Sequence, residues 1–417
     1  MPKGIAFDGK RHISNMIPES IENIQALVRE HSHIHVHGAR TKSALHPQIV
    51  IPSCEWPERP KRPAETGLSD RSAPSAPVAP EFLSSASEKS YPSIAQDSSL
   101  LLGMTDAIYD LDMRQLSGVL QYDAQEFVLT ALAGTPVHEV EAILAAQGQY
   151  LPFDPLLVER GATLGGTVAA NASGPGRFRY GGVRDFLIGT RFIDGSGQLI
   201  QGGGKVVKNA AGFDYPKLMV GSYGRLGVLV ELTFKVFPRP QAYHTVLVTQ
   251  PDLAHTLEAL YKLTSAPLDI EALDIVPSDI DKGAGYVMQI RIGGLQTALL
   301  QRAERLRQTL GNGEILTEAD DGAFWRAVRE LSWAGEQPVC KVPITPARMA
   351  ALEAILRPQH AIRRYSVGGN VAWLATANMP TGFDAQPFIG NYSSPPMTLH
   401  AFAQRIKQAL DPEHRLV

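Results

Sequence analysis

The spacing of apolar residues changes within the first forty positions. In PESIENIQALVRE (18–30), Ile21, Ile24, Leu27 and Val28 fall at helical spacing, which predicts a helix. HIHVHG (33–38) then alternates with period two, which predicts a strand ending at Gly38. From 52 to 99 the periodicity disappears. WPERPKRPAETGLSDRSAPSAPVAPEFLSSASEKSYPSIAQ is rich in Pro and Ser and cannot bury enough apolar surface to fix one conformation. A disordered insertion is expected here, with a partner-binding tail as the sharper alternative. It interrupts a folded domain, because patterned sequence resumes at LLLGMTDAIYDL.

FVLTALAGTPVHEVEAILAAQGQYLPFDP then reads as strand, turn and helix. A glycine-rich stretch follows, then strands with turn signals at Asp194-Gly195 and Gly197. The apolar, β-branched run LGVLVELTFKVFPRP closes this block. After Pro240 the rhythm becomes strand–helix twice over, TVLVTQ with DLAHTLEALYKL and YVMQIRI with LQTALLQRAERLRQTL. The chain therefore divides into 1–240, carrying the insertion 52–99, and a second α+β domain, 241–417.

Composition narrows the function classes. The 417 residues are 44% hydrophobic, enough for a sizeable core, and the formal charge of −3 speaks against a nucleic-acid binder. Two cysteines, Cys54 and Cys340, form no CxxC pair, so neither a metal framework nor a disulfide scaffold is expected. The start MPKGIAFDGKRHIS has no signal-peptide core, and no apolar run reaches the roughly 18 residues of a membrane span. A cytoplasmic protein without direct membrane insertion is expected.

His31, His33, His35 and His37 raise the question of a metal. Along a strand, neighbours on one face lie roughly 6.6–7 Å apart, so two imidazoles converge on one ion, but His33 and His37 lie about 13 Å apart. A third ligand is missing, so no metal site is predicted. The better reading is a strand that delivers a phosphate loop. Gly38-Ala39-Arg40-Thr41-Lys42-Ser43 turns through small residues that expose backbone N–H groups, with hydroxyl and cationic donors following. A second loop, GATLGGTVAANASGPG (161–176), lets a backbone approach a flat or charged ligand where Cβ atoms would block it. There is no Walker loop, and Gly202-Gly203-Gly204 lacks the spacing of a dinucleotide fingerprint.

Taken in order, GARTK, GATLGGTVAANASG, YGGVRDFLIGTRFIDGSGQLI and VVKNAAGFDYPKLMVGSYGRLGVLVELTFKVFPRP resemble the FAD-binding domain of the vanillyl-alcohol oxidase/PCMH flavoprotein superfamily. The resemblance covers roughly 18–51 and 100–240. Within that superfamily the chain is most similar to FAD-binding subunits of bacterial glycolate oxidases; DGAFWRAVREL, QPVCKVPITP, SVGGNVAWL and the terminal AFAQRIKQALDP match in the second domain. The resemblance implies an α+β protein: a PCMH-type two-subdomain FAD-binding domain followed by a smaller ferredoxin-like cap, with the last helix returning to the first domain. It implies noncovalent FAD held by Gly38, Ala39, Arg40, Thr41, Lys42, Ser43, Pro155, Gly161, Thr163, Gly165, Gly166, Ala170, Asn171, Gly174 and Leu229. It also implies partners, a catalytic flavoprotein subunit and an iron–sulfur subunit, and a small 2-hydroxy acid as substrate.

Oxidising a 2-hydroxy acid needs a hydride acceptor, a cation for the carboxylate, and a base or metal for the hydroxyl proton. No paired-histidine motif follows Pro240. His255, His360, His400 and His414 read as surface residues, and the catalytic residues stay unassigned. Arg177, Arg179 and Arg184 either face the ligand or form salt bridges; Lys208 and Asp214 order a loop beside the cofactor. A self-sufficient FAD-dependent 2-hydroxyacid dehydrogenase and a non-catalytic scaffold remain open alternatives.

Overall fold

The structure is a computed structural model that describes residues 13–38, 108–204, 213–265, 268–278, 285–311, 313–390 and 401–416. The expected insertion 52–99, loop residues 39–43, Lys208 and His400 lie outside the described residues.

A small parallel sheet comes first. Strands β1 (Ile13–Met16), β2 (Ile34–His37) and β3 (Ile108–Asp112) run in the order β1-β3-β2, with helix α1 (Ile21–Glu30) crossing between β1 and β2. Ser20 starts α1 by accepting the Asn23 N–H at 3.1 Å, a cap that satisfies one of the free donors of the first turn. Ile24 and Val28 pack into a core with Ile34, Leu111, Val228 and Val230.

An antiparallel sheet of five follows: β4 (Val119–Asp123), β5 (Val128–Leu132), β7 (Leu187–Ile193), β8 (Leu199–Gly203) and β9 (Val228–Lys235), in the order β4-β5-β9-β7-β8. The run LGVLVELTF becomes the central strand, which explains its nearly unbroken apolar text: both faces are covered. The β7–β8 turn holds Gly197 at φ +76°, with Asp194 Oδ1 accepting from Ser196 and Gln198 N–H at 2.9 Å each. Between β5 and β7 come α2 (Val137–Ala145), β6 (Gln149–Tyr150) and the short helices α3 (Leu164–Ala169), α4 (Arg177–Tyr180) and α5 (Val183–Phe186). Helix α6 (Tyr215–Met219) precedes β9; β10 (Phe237–Pro238) pairs with β6.

The remainder builds one eight-stranded antiparallel sheet. Its elements are β11 (Ala242–Gln250), α7 (Leu253–Ser265), β12 (Ile270–Pro277), β13 (Tyr286–Gly294), α8 (Gln296–Leu310), β14 (Gly313–Thr317), α9 (Glu318–Arg329), β15 (Val339–Pro343), α10 (Met349–Leu356), β16 (Ile362–Ser366), β17 (Val371–Ala375) and β18 (Gln386–Ile389). The order β14-β11-β13-β12 is the fourth-first-third-second arrangement of a ferredoxin-like half. The order β16-β17-β15-β18 mirrors it, and the halves join through their second strands at Ile275–Tyr365. The α+β class and ferredoxin-like element are as expected; the doubling of the sheet was not visible in the sequence.

Helix α11 (Ala401–Leu410) and the residues after it return to the first sheet. Leu416 pairs in parallel with Ile34 of β2, and the Ile34 N–H donates to Arg415 O at 2.6 Å.

Candidate cofactor cleft and anion site

Where β2 ends, a cleft opens, most of whose lining residues are glycine or alanine. His37 and Gly38 come from the end of β2, Met113 follows β3, and Ala133 follows β5. Thr163, Gly165, Gly166 and Ala169 come from α3 and its cap, and Gly224, Gly227 and Leu229 from the approach to β9. Of the residues the sequence pointed to, Gly38, Thr163, Gly165, Gly166 and Leu229 converge here.

These small residues do different jobs. A Cβ on Gly38 would collide with the Thr163 hydroxyl, and one on Gly165 would lie 2.9 Å from Ala133 O, so both allow segments of the protein to meet. Gly166 is different: an added Cβ would meet only Thr163 Oγ1, at 3.1 Å, and its remaining surroundings are open. The N–H groups of this turn are already used. Leu164 donates to Thr135 O at 2.9 Å, Gly165 to Ala133 O at 2.7 Å and Gly166 to Thr163 Oγ1 at 3.2 Å. The described part of the cleft thus supplies shape and room.

The other predicted residues stand beside or behind it. Pro155 forms an isolated bridge with Ser173, and Gly161 turns the chain at φ +80°. Ala170, 4% exposed, follows the end of α3, and Asn171 takes φ +49° directly after it. The Gly174 N–H donates to Asp154 O at 2.7 Å, while Arg329 holds the Asp154 and Glu141 carboxylates at 3.3 and 3.0 Å. Those positions build the support of the cleft. His35 and His37 turn their Nδ1 atoms to Asp110 Oδ1 and Gly38 O, each at 3.0 Å.

FAD fits this cleft on the structure's own terms. Its walls are chiefly glycine and alanine, and polar atoms on its flanks lack partners: Thr167 Oγ1 in α3, and Ser222 Oγ and Arg225 Nη1 in the loop that carries Gly224. Buried polar groups without partners are rare in native folds unless a ligand or water completes them.

A second feature lies just past α3. Lys341 Nζ, on β15, donates to Asn171 O at 3.2 Å, two residues beyond the cleft-lining Ala169. Lys341 is only 4% exposed, its ammonium lies 5.8 Å from the Trp373 ring centroid, and no carboxylate among the described residues pairs with it. Burial, then the nearby Arg177 charge, pushes its pKa down to about 8. Arg177 likewise makes no ion pair among the described residues, and burial lowers its pKa despite Asp185. Lys341 is thus a buried cation without a carboxylate partner among the described residues, with the half-buried Arg177 near it.

Of the other arginines singled out, Arg179 bridges to Glu271 at 3.0 Å and to Asp269 at 3.2 Å, and Arg184 is exposed. Asp214 caps α6 by accepting from Lys217 N–H at 3.2 Å. His255 is exposed and bonded to Asp252. Lys341 carried no role in the sequence reading, because a lone lysine in an apolar strand looks like a solvent-facing residue.

Comparison with known proteins agrees with the geometry. Residues 85–203 match the model of an FAD binding domain. The chain is 32% identical over 347 residues to glycolate oxidase subunit GlcE of Escherichia coli K12, covering 80% of this chain and 93% of that protein. It is 33% identical over 165 residues to D-2-hydroxyglutarate dehydrogenase of Xanthomonas citri pv. viticola, covering 39% of this chain and 34% of the relative. Glycolate oxidase subunit GlcD of Bacillus subtilis is 29% identical over 168 residues, 40% of this chain and 34% of that one. Among solved structures, alkyldihydroxyacetonephosphate synthase superposes with a TM-score of 0.60 at 15% identity, covering 96% of this chain and 76% of its own, a likeness of fold alone. With that fold, that cleft and likeness along four-fifths of its length, the chain belongs to the flavoprotein family of glycolate oxidase subunit GlcE.

Proposed function

We propose that this chain is the FAD-binding subunit of a complex that oxidises glycolate, and related small 2-hydroxy acids such as D-lactate, to 2-oxo acids. Residues 1–240 form the cofactor domain and 241–417 the cap. FAD is held noncovalently by Gly38 to Ser43, Thr163, Gly165, Gly166 and Leu229, with Pro155, Gly161, Ala170, Asn171 and Gly174 supporting them. When bound it supplies the hydride acceptor. Lys341 and Arg177 hold the substrate carboxylate, at a point where water is largely excluded and charge acts strongly. The buried Lys341, bonded to a carbonyl two residues past the cleft-lining Ala169 and without a carboxylate partner among the described residues, is the observation that carries the reading.

The base for the hydroxyl proton and the onward electron path come from a catalytic flavoprotein subunit and an iron–sulfur subunit. The complex works in the cytoplasm, at the inner membrane only through those partners; no helix among the described residues is long and apolar enough to cross a membrane. The test begins with the purified chain. Its visible spectrum should show flavin, acid denaturation should release all of it, and glycolate should perturb the spectrum without sustaining dye reduction. Co-expression with the two subunits should restore turnover. A Gly166→Trp variant should lose the flavin while keeping the cap folded; a fully yellow variant would reject the cleft. The cation pair also favours a second reading, a self-sufficient dehydrogenase, which robust turnover by the single chain would establish.

A further inference from the structure

Lys407 of α11 lies outside the cleft, yet its three ammonium donors tie a loop that lines it to the chain end that pairs with β2. They go to Arg225 O at 2.8 Å, to Asp411 Oδ2 at 2.5 Å and to Leu416 O at 2.5 Å. Arg225 sits between Gly224 and Gly227, which line one wall. Leu416 pairs with Ile34 at the start of β2, whose other end delivers His37 and Gly38 to the opposite wall. The walls also touch directly, since a Cβ on Gly224 would lie 3.3 Å from Val36 Cβ. Asp411 completes the arrangement. Fully buried, it accepts the Arg415 and Leu416 N–H groups at 2.8 and 3.0 Å and so folds the chain end back to β2. Arg415 clamps the end of α1 through Val28 O and Arg29 O at 2.7 and 2.8 Å.

A single ammonium joining two walls is more than general packing. A salt bridge alone needs one bond, and two of the three go instead to backbone carbonyls, one in the loop that carries Gly224 and Gly227 and one in the chain end that pairs with β2. Removing either wall's bond leaves a buried carbonyl short of a donor, and that segment free to shift. We infer that Lys407, set by Asp411, is a positioning residue that fixes the spacing of the cleft walls and thereby the affinity for FAD. This rests on the cofactor reading above.

The test uses the full-length apoprotein titrated with FAD and followed by flavin fluorescence and visible circular dichroism. Lys407→Met alone strands a buried carboxylate and is expected to destabilise the fold. The double variant Lys407→Met with Asp411→Leu removes both charges together, which buried pairs tolerate. In the double variant the apoprotein Tm should fall by several degrees, because two carbonyls and two N–H groups lose partners, while at temperatures where it stays folded the FAD Kd rises about tenfold or more and the dichroism of bound flavin changes. Lys407→Arg, which keeps charge and donors, should hold Kd within about threefold. A double variant that binds FAD like wild type would overturn the clasp. One variant-free measurement stands beside it: FAD should slow amide exchange across 407–416, a segment with no residue in the cleft lining. Unchanged exchange there would also overturn the proposal. Wild-type apoprotein that takes up no FAD would overturn the cofactor reading and the clasp with it.

Discussion

The interior of the cap and its junction with the cofactor domain both bury positive charge, and they treat it in opposite ways. Inside the cap each buried guanidinium has a carboxylate. Arg363 meets Glu353 in a two-pronged contact at 2.6 and 2.7 Å, with Tyr365 OH donating to the same carboxylate at 2.5 Å. Arg364 meets Asp274 at 2.8 Å, and Arg291 meets Asp321 at 2.7 Å. At the junction, Lys341 has a carbonyl and a ring face, and Arg177 has no ion pair among the described residues. The paired charges are finished structures: Arg364 joins two strands, while Arg363 and Arg291 tie strands to helices α10 and α9. Lys341 carries a desolvation cost that no carboxylate among the described residues offsets, the kind of perturbed charge that gathers at binding sites.

The contrast can be broken from the structural side first. Glu353→Ala leaves Arg363 buried and uncompensated and should cost about 3–5 kcal/mol. Chemical denaturation measures the loss, while FAD titration of the folded fraction should give an unchanged Kd. A loss of flavin affinity equal to that of a cleft variant would erase the distinction between the two regions.

The junction should respond with the opposite sign. Lys341→Met removes a strained cation and should stabilise the protein by up to about 3 kcal/mol, yet abolish the spectral response to glycolate. Loss of stability in this variant would mean that Lys341 is a structural partner like Arg363.

The same lysine sets a pH signature. Its folded pKa, about 8, lies below the ordinary 10.5, so between those values the unfolded chain binds a proton that the folded chain has released. Stability should therefore rise with pH across that window, and the rise should vanish in Lys341→Met. Anion affinity should fall over the same range as the ammonium neutralises. An identical pH slope in wild type and variant would show that another group titrates there.

The smallest effect is expected at the rim. Asp269, 69% exposed at its side chain, pairs with Arg179 across the junction. Asp269→Asn should change stability by less than about 0.5 kcal/mol, because water screens the pair. A larger loss would move Arg179 into the class of paired, structural charges.

Much of the cofactor half was determined by the sequence itself. The switch from helical to alternating spacing before Gly38, the turn at Gly197 and the uninterrupted apolar run of β9 each reflect short-range rules: side-chain periodicity, φ preference and burial on two faces. Thr163, Gly165 and Gly166 were legible for the same reason, since a dense run of glycines has few uses besides close approach. The charged strands of the cap were not. IEALDIVP carries Glu271 and Asp274 in what proves to be a buried strand, and partners such as Arg179 and Arg364, 92 and 90 positions away, make those charges tolerable there. Lys341 and Lys407 belong to the same class. Each is a lone lysine with no local pattern, whose meaning depends on carbonyls 170 and 182 positions distant, because desolvation and counter-charge are settled by what the fold brings near and not by neighbours in the chain.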